Sequence, residues 1–373
     1  MGNPLRVLHV VPHMQIGGIN RFVLDLVSCQ TSDLDVQVGI YVCCSRNPQW
    51  QSQCEKLNVT VYWDNIKGMD MNPFHYKKFI GIKERYDVIH WHVFSPILAL
   101  ISWCDSKCHV FTHHSVLGTG RIRKKTDYLK WKIFKNFVNH KLTCEVYNSE
   151  YTRDFWQSYG LKAKYNALVY NGAVFNDSSD SDISLPQNIL NTIQSRFVVG
   201  TSSNFIGCKR INLLIDSFAK FSMGKTDVRL LIVGDGPESE SLHNQVKSLE
   251  IEDKVVFTGH RTDVVNYQKL MHVCVFPSIT ETFGLAALEC MHLGKPTICM
   301  SDGGGICEVV GNDKDIAKDI EDLQNILETY YNFTPEQYHE AGEKAKKRSC
   351  LFLMSDKAKE YNELYKRLCW HQL

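Results

Sequence analysis

The sequence predicts two doubly wound α/β domains, each built on its own parallel sheet. Three observations carry this. Short apolar runs alternate with amphipathic stretches along the chain, the pattern of βαβ units with both sheet faces covered. The alternation falls into two series, separated by the polar, acidic, proline-containing stretch NDSSDSDISLPQN (176–188). The length of 373 residues suits two domains, at about 150 residues per domain.

The elements follow in order. Strands are expected at RVLHVV (6–11), VQVGIYV (36–42), VTVYW (59–63), DVIHWH (87–92), HVFTHH (109–114) and CEVYN (144–148). Helix-like stretches such as NRFVLDLVS (20–28) and NPFHYKKFIGIKERY (72–86) lie between them. The second series has strands at FVVGTS (197–202), VRLLIV (228–233), KVVFTG (254–259), VCVFPS (273–278) and PTICM (296–300). After Asn332 only helices are expected, about 335–348 and 355–368. The last carries Ala358, Tyr361, Leu364, Tyr365 and Leu368 at helical spacing, a stripe that needs a surface to cover it. The expected division is a first domain over 1–175, a linker over 176–195, and a second domain over 196–350. The helix of 351–373 is expected to cross back onto the first domain. In such sheets ligands bind beyond the carboxyl ends of the strands, so the cleft between two facing domains is the expected site.

Composition narrows the function. Apolar residues are 44% and charged residues 22%, as in ordinary globular proteins. Lys plus Arg is 42 against 41 for Asp plus Glu, a net charge of +1, so nucleic acid is not an expected partner. The longest apolar stretch, Val93 to Cys104, is interrupted by Ser95, Pro96 and Ser102 and is too short to span a bilayer. The start MGNPLRVLHVV carries neither a signal-peptide pattern nor, with Arg6 where Ser or Thr is required, a myristoylation signal. The expected location is therefore cytoplasmic. The 14 cysteines sit mostly in apolar runs and read as buried, reduced thiols. Cys104-x3-Cys108-His109 is half a metal site that no second pair completes.

The chemistry concentrates in PSITETFGLAALECMHLGKPTI (277–298). A strand ends at Pro277, a polar turn follows, and LAALECMHLG reads as a helix that Thr282 could cap. The first amides of a helix point outward without intrahelical acceptors, a site for a diphosphate. Glu281 and Glu289 are eight residues apart, up to about 12 Å along a helix. Such carboxylates can hold opposite ends of one ligand but are too far apart for a close acid/base dyad. Read without further context they are two surface glutamates, and Glu289 within ALECM suggests a buried, paired one.

The Glu-x7-Glu pair in ETFGLAALE, preceded by VFPS and followed by GKPTI, resembles the retaining glycosyltransferases of family four (group 1), which have the GT-B fold of two Rossmann-like domains facing across a cleft. LLIVGDGPE (230–238), VVFTGHRTDV (255–264) and GGGICEVVG (303–311) match that family in order and spacing. VVPHMQIGGINRFVLDL (10–26), YNSEYTRDFWQSYG (147–160) and VYNGAVF (169–175) resemble its first-domain segments.

The resemblance implies roles. Glu281 would contact hydroxyls of the donor sugar, and Glu289 would hold the ribose. The amides of Phe283, Gly284 and Leu285 would bind donor phosphate and sugar, and Lys209 would neutralise the diphosphate. His114 matches a histidine close to the donor sugar, and Gly18 lies in the first glycine loop. The candidate catalytic residues are thus Glu281, His114 and Lys209. The candidate donor-binding residues are Gly18, Lys209, Arg210, Phe283, Gly284, Leu285 and Glu289. Many members carry an arginine five residues before the lysine. Here that position is Asn204, and Arg210 is the residue that could compensate.

Other signals are weaker. Gly17-Gly18 and Gly234-Asp235-Gly236-Pro237 are strand-to-helix turns and not a dinucleotide fingerprint, which argues against an NAD-dependent dehydrogenase. His90 reads as a core residue. A zinc site from His90, His92, His113 and His114 is opposed by the alternation of strand faces. Asp33-x-Asp35 reads as turn chemistry and not as a metal-binding pair.

Residues 121–135, RIRKKTDYLKWKIFK, hold seven basic residues against one acidic, interleaved with aromatics. The stretch reads either as a solvated helix with aromatics facing the core or as a contact for an anionic membrane.

The expectation is a retaining glycosyltransferase of the hexosyltransferase class, with a UDP-sugar donor as substrate and no metal or cofactor. Its acceptor would be a glycan or lipid-linked glycan in surface or capsular polysaccharide synthesis, reached from the inner face of the membrane. The rivals are a nucleotide-sugar epimerase or hydrolase on the same fold, and a non-enzymatic nucleotide-sugar sensor.

Overall fold

The computed structural model describes residues 4–11, 18–43, 48–57, 59–64, 66, 72–116, 125–175 and 185–370. The chain divides into two compact units: Met1–Val174 with Leu353–Leu373, and Phe175–Phe352.

Unit 1 is built on strands β1 (Leu5–Val11), β2 (Val36–Val42), β3 (Thr60–Trp63), β4 (Val88–Trp91), β5 (Cys108–His113), β6 (Cys144–Tyr147) and β7 (Tyr165–Leu168). They form one parallel sheet in the order β3-β2-β1-β4-β5-β6-β7. Period-two alternation loads both faces: Val7 and Val11 enter one apolar cluster, Leu8 and Val10 the other. The C-terminal helix Met354–Cys369 belongs to this unit. Its Tyr361, Leu364, Tyr365 and Leu368 pack with Phe22, Val23, Leu26 and Val27 of the helix Gly18–Gln30.

Unit 2 is built on β8 (Phe197–Ser202), β9 (Val228–Val233), β10 (Val255–Phe257), β11 (Val273–Phe276), β12 (Thr297–Met300) and β13 (Ile316–Ala317). The sheet is again parallel, in the order β10-β9-β8-β11-β12-β13. In both sheets the order reverses once, between β1 and β4 and between β8 and β11. Loops leaving those strand ends diverge and open a crevice.

Several boundaries differ from the sequence reading. Strands β7 and β13 were not expected. YNAL is only partly buried and alternates weakly, and β13 has two residues; both are edge strands. The expected linker, 176–195, is helical over Gln187–Ile193, whose Ile189 and Ile193 are buried in the core of unit 2. Residues 176–184 lie outside the described residues, as do Gly17, Arg121, Arg123 and Lys124. The rest of the basic stretch lies in the helix Lys125–His140. There Phe134, Phe137 and Val138 are buried, while Tyr128 and Leu129 are exposed beside Lys130 and Lys132. No helix among the described residues is long and apolar enough to cross a membrane, and the described cysteines are free thiols. The Cys104, Cys108 and His109 group does not assemble around a metal position, because both His109 nitrogens face Trp91 and Asp105.

A charged knot ties the far end of the first sheet. Asp105 meets Lys83 Nζ at 2.5 Å and His109 Nε2 at 2.8 Å. Burial alone would raise the Asp105 carboxyl, but His109 and Lys83 outweigh it and hold the group well below the usual carboxylate range. A depressed folded-state pKa stabilises above the unfolded value of about 4 and fades as pH falls toward the folded value. Asp105→Asn should therefore cost about 2 kcal/mol at pH 7. In urea unfolding, the gap from wild type should narrow steadily below about pH 4.

Candidate active site

In unit 2 the candidate residues gather at the carboxyl ends of β8, β11 and β12. After β8 the chain runs through Ser203–Ile206 into a single 3-10 turn, Gly207–Lys209, and Arg210 turns left-handed at φ 47° before the helix Ile211–Phe221 begins. Lys209 is therefore not on a helix, and the left-handed Arg210 sends the two neighbouring cations apart.

Lys209 Nζ donates to Glu281 Oε2, each side chain 23% exposed. Their loops leave β8 and β11, the two strands that flank the reversal of sheet order. The topology thus joins a cation and a carboxylate separated by more than seventy residues at the crevice where ligands bind in such sheets.

Arg210 has other partners than the diphosphate expected of it. Its Nε donates to the Pro277 carbonyl at 2.6 Å and its Nη1 to Asp302 Oδ2 at 2.8 Å. It acts as a strut that binds the loops after β8, β11 and β12 together. Asn204, at the position where relatives carry arginine, is exposed.

Glu281 is likewise not on the helix with Glu289. It lies in an extended turn that pairs with the glycine loop after β12: its amide donates to the Gly303 carbonyl at 2.8 Å, and its carbonyl accepts from the Gly305 amide at 2.7 Å. The glycine run 303–305 thus positions Glu281, which the spacing of the glutamates could not show. The helix is Leu285–His292, and its N-cap is Gly284, at φ 99°, not Thr282. A Cβ on Gly284 would lie 2.8 Å from Ile306 Cγ1, so only glycine fits. The first amides of this helix lack intrahelical acceptors and stand next to the Lys209–Glu281 pair in sequence and topology. Phe283 is buried, Leu285 is half-buried, and Glu289 is half-buried one turn further on, not fully buried.

Gly18 and His114 belong to unit 1. Gly18 opens the helix Gly18–Gln30 after β1 and is exposed. His114 follows β5, partly exposed, with its Nε2 3.0 Å from His92 Nδ1 and its ring against Phe22. His113, one residue earlier, faces the other side and meets Glu145 at 3.0 Å, as strand alternation requires. His90 is a core residue, held between Thr112 and Tyr365. Among the described residues, the imidazoles that cluster are His9, His90 and His92, with one nitrogen of each within 4.8 Å of the others. His9 escapes sequence reasoning because it sits inside the first apolar strand. Asp33-x-Asp35 forms a turn in which Asp33 accepts from the Asp35 amide at 2.9 Å. A separate cavity of about 740 Å³ in unit 2, lined by Asn312, Lys314, Tyr330 and Arg348 among others, shares no residue with the candidate site.

Residues 187–348 match the family described as glycosyl transferases group 1, and residues 16–174 match glycosyltransferase family 4. The chain belongs to the group 1 glycosyltransferases. The solved structures this glycosyltransferase resembles agree on the fold. A crystal structure of Anabaena HepE in complex with UDP and glucose superposes with TM-score 0.78 at 22% identity, covering 96% of this chain and 99% of that one. A sucrose-phosphate synthase from Thermosynechococcus elongatus superposes with TM-score 0.75 at 18% identity, covering 99% and 100%. These establish the GT-B architecture of two parallel-sheet α/β domains.

Curated relatives match over shorter stretches. The glycosyltransferase is 40% identical over 108 residues to an N-acetyl-alpha-D-glucosaminyl L-malate synthase of Bacillus anthracis, which is 29% of this chain and 28% of the relative. It is 26% identical to an O-antigen biosynthesis glycosyltransferase of Escherichia coli over 63% of this chain and 67% of the relative. The matches thus span from about a quarter to two thirds of those relatives' lengths.

Proposed function

We propose that this glycosyltransferase moves a sugar from a UDP-sugar to a hydroxyl of a lipid-linked glycan, with the anomeric configuration retained. The observation that carries the reading is the Lys209–Glu281 pair beside the glycine-capped helix N-terminus at the sheet-order reversal. A departing nucleoside diphosphate needs positive charge where negative charge develops. Lys209 and the amides of Phe283, Gly284 and Leu285 supply it in this reading, without a metal. Glu281 meets hydroxyls of the donor sugar, and Glu289 holds the ribose. With no close carboxylate dyad, the leaving phosphate takes up the acceptor proton on the same face of the sugar.

The nucleotide and acceptor rest on resemblance. HepE was crystallised with UDP and with UDP-glucose. Relatives include the O-antigen enzyme and a Campylobacter jejuni transferase acting on a diphospho-undecaprenol glycan. Exposed Tyr128 and Leu129 beside Lys130 and Lys132 suit a peripheral enzyme on the inner face of a membrane.

A thermal-shift screen of nucleotide sugars should find a stabilising UDP-sugar, since a bound donor stabilises by mass action. With that donor and lipid-linked against soluble acceptors, Glu289→Ala should raise the donor KM about tenfold with little change in kcat. Glu281→Ala should lower kcat about 10²-fold at nearly constant KM. Wild-type kinetics in both variants would place the site elsewhere. Steady donor hydrolysis or isomerisation without acceptor would favour an epimerase or hydrolase.

A further inference from the structure

A line of polar side chains crosses the core of unit 1. Asn362 Nδ2 donates to Asp33 Oδ2 at 2.9 Å, and Gln30 Nε2 donates to Asn362 Oδ1 at 2.8 Å. Gln30 Oε1 lies 2.9 Å from His9 Nε2, and His9 Nδ1 lies 2.9 Å from His92 Nε2. His92 Nδ1 in turn lies 3.0 Å from His114 Nε2. Gln30, His9, His92 and Asn362 are all at most 2% exposed, so water cannot substitute along the line. It begins at the turn before β2, passes the C-terminal helix and the helix Gly18–Gln30, and ends just beyond β5.

The direction of the hydrogens follows from its outer end. An ionised carboxylate only accepts. Burial would raise the Asp33 carboxyl, but the Asp35 amide, Asn362 and Lys366 outweigh it and keep the group ionised at neutral pH. Asn362 must then turn its nitrogen to Asp33 and its oxygen to Gln30. Gln30 must turn its nitrogen to Asn362 and its oxygen to His9. Burial lowers His9 to about 4 and His114 to about 3, and takes His92 well below its usual value, so all three are neutral near pH 7. A neutral imidazole carries one hydrogen, donating from one nitrogen and accepting at the other. Three in series must point their hydrogens the same way, so whatever sets His9 sets His114.

We propose that Asp33, acting through Asn362, Gln30, His9 and His92, fixes His114 as the Nε2–H tautomer, with Nδ1 the accepting nitrogen. Asn362, Gln30, His9 and His92 are positioning residues. Any part this tautomer plays in catalysis rests on the glycosyltransferase reading of His114. The tautomer assignment does not. The C-terminal helix thereby takes a chemical role, since its Asn362 relays the polarity of a surface aspartate, just before the start of β2, to the carboxyl end of β5.

Nitrogen-15 NMR of the histidine-labelled full chain tests it, with resonances assigned against the His114→Asn variant. In wild type, His114 should show a protonated Nε2 and an unprotonated Nδ1. Gln30→Met removes the acceptor that orients His9, so the series reverses and His114 should move to Nδ1–H. Gln30→Glu keeps an accepting oxygen there and should restore the Nε2–H form. Asp33→Asn, at the surface, removes the fixed polarity together with the Lys366 ion pair and should give both tautomers together. A wild-type His114 protonated on Nδ1, or an Asp33→Asn variant that stays wholly Nε2–H, overturns the proposal. Failure of the glycosyltransferase reading would appear separately, as a wild-type chain that no nucleotide sugar stabilises.

Discussion

Replacing Lys209 with alanine should lower kcat about 10²–10³-fold, the scale of losing one preorganised group that stabilises transition-state charge. The structure makes the loss larger than that of a lone cation. Lys209 is paired with Glu281, so its removal leaves an uncompensated carboxylate facing the place where a diphosphate is proposed to sit. Glu281→Ala should then soften the effect of Lys209→Ala, and the double variant should be better than the sum of the two single losses. Stability should hardly move. A pair that is 23% exposed on both sides contributes little to folding, so the thermal midpoint should stay within about 2 °C. Lys209→Arg should recover only part of the activity, because a planar guanidinium cannot occupy the ammonium's position against both groups. Unchanged turnover in Lys209→Ala would remove this lysine from the reaction.

The second large effect is structural and reaches the same site. Gly234, the first residue after β9, has φ 138°, and a Cβ there would lie 1.9 Å from the Ser203 carbonyl oxygen. That oxygen is backbone, not a flexible side-chain tip. The Ser203 amide donates to Val233 and the Phe205 amide to Asp235, so the loop leading to Lys209 is laced onto the β9 turn. Gly234→Ala combines backbone strain with overpacking, each about 1–3 kcal/mol, for a total of about 4 kcal/mol. In a unit of this size that corresponds to a midpoint lower by about 10 °C. Below the midpoint the residual activity should also fall, since the loop that carries Lys209 must shift to admit the methyl. A variant with wild-type stability would show that the β9 turn and the loop after β8 are not in contact.

Much of this protein follows from the sequence by itself. Short apolar runs separated by amphipathic stretches specify parallel strands covered on both faces, because that arrangement buries the apolar residues of VRLLIV and VQVGIYV on both sides of the sheet. The polar stretch after residue 175 marks where one sheet ends. ETFGLAALE, with its glycine before an apolar helix, was legible as a candidate site, because a glycine and the first amides of a helix let a ligand approach closely.

Tertiary structure decided what depends on strand order. Lys209 meets Glu281 because β8 and β11 are neighbours across the reversal, and linear spacing holds no record of that pairing. Glu281 is positioned by the glycine loop after β12, and Arg210 is drawn to Asp302 and the Pro277 carbonyl by the same convergence of strand ends. The histidine line is the extreme case. Gln30 and Asn362 are 332 residues apart and each is an ordinary polar residue in its helix. They acquire a role only because packing removes water and brings their buried polar atoms into contact. Local pattern records which face a residue turns to the core, but the identity of its partner is set by how the strands are ordered around it.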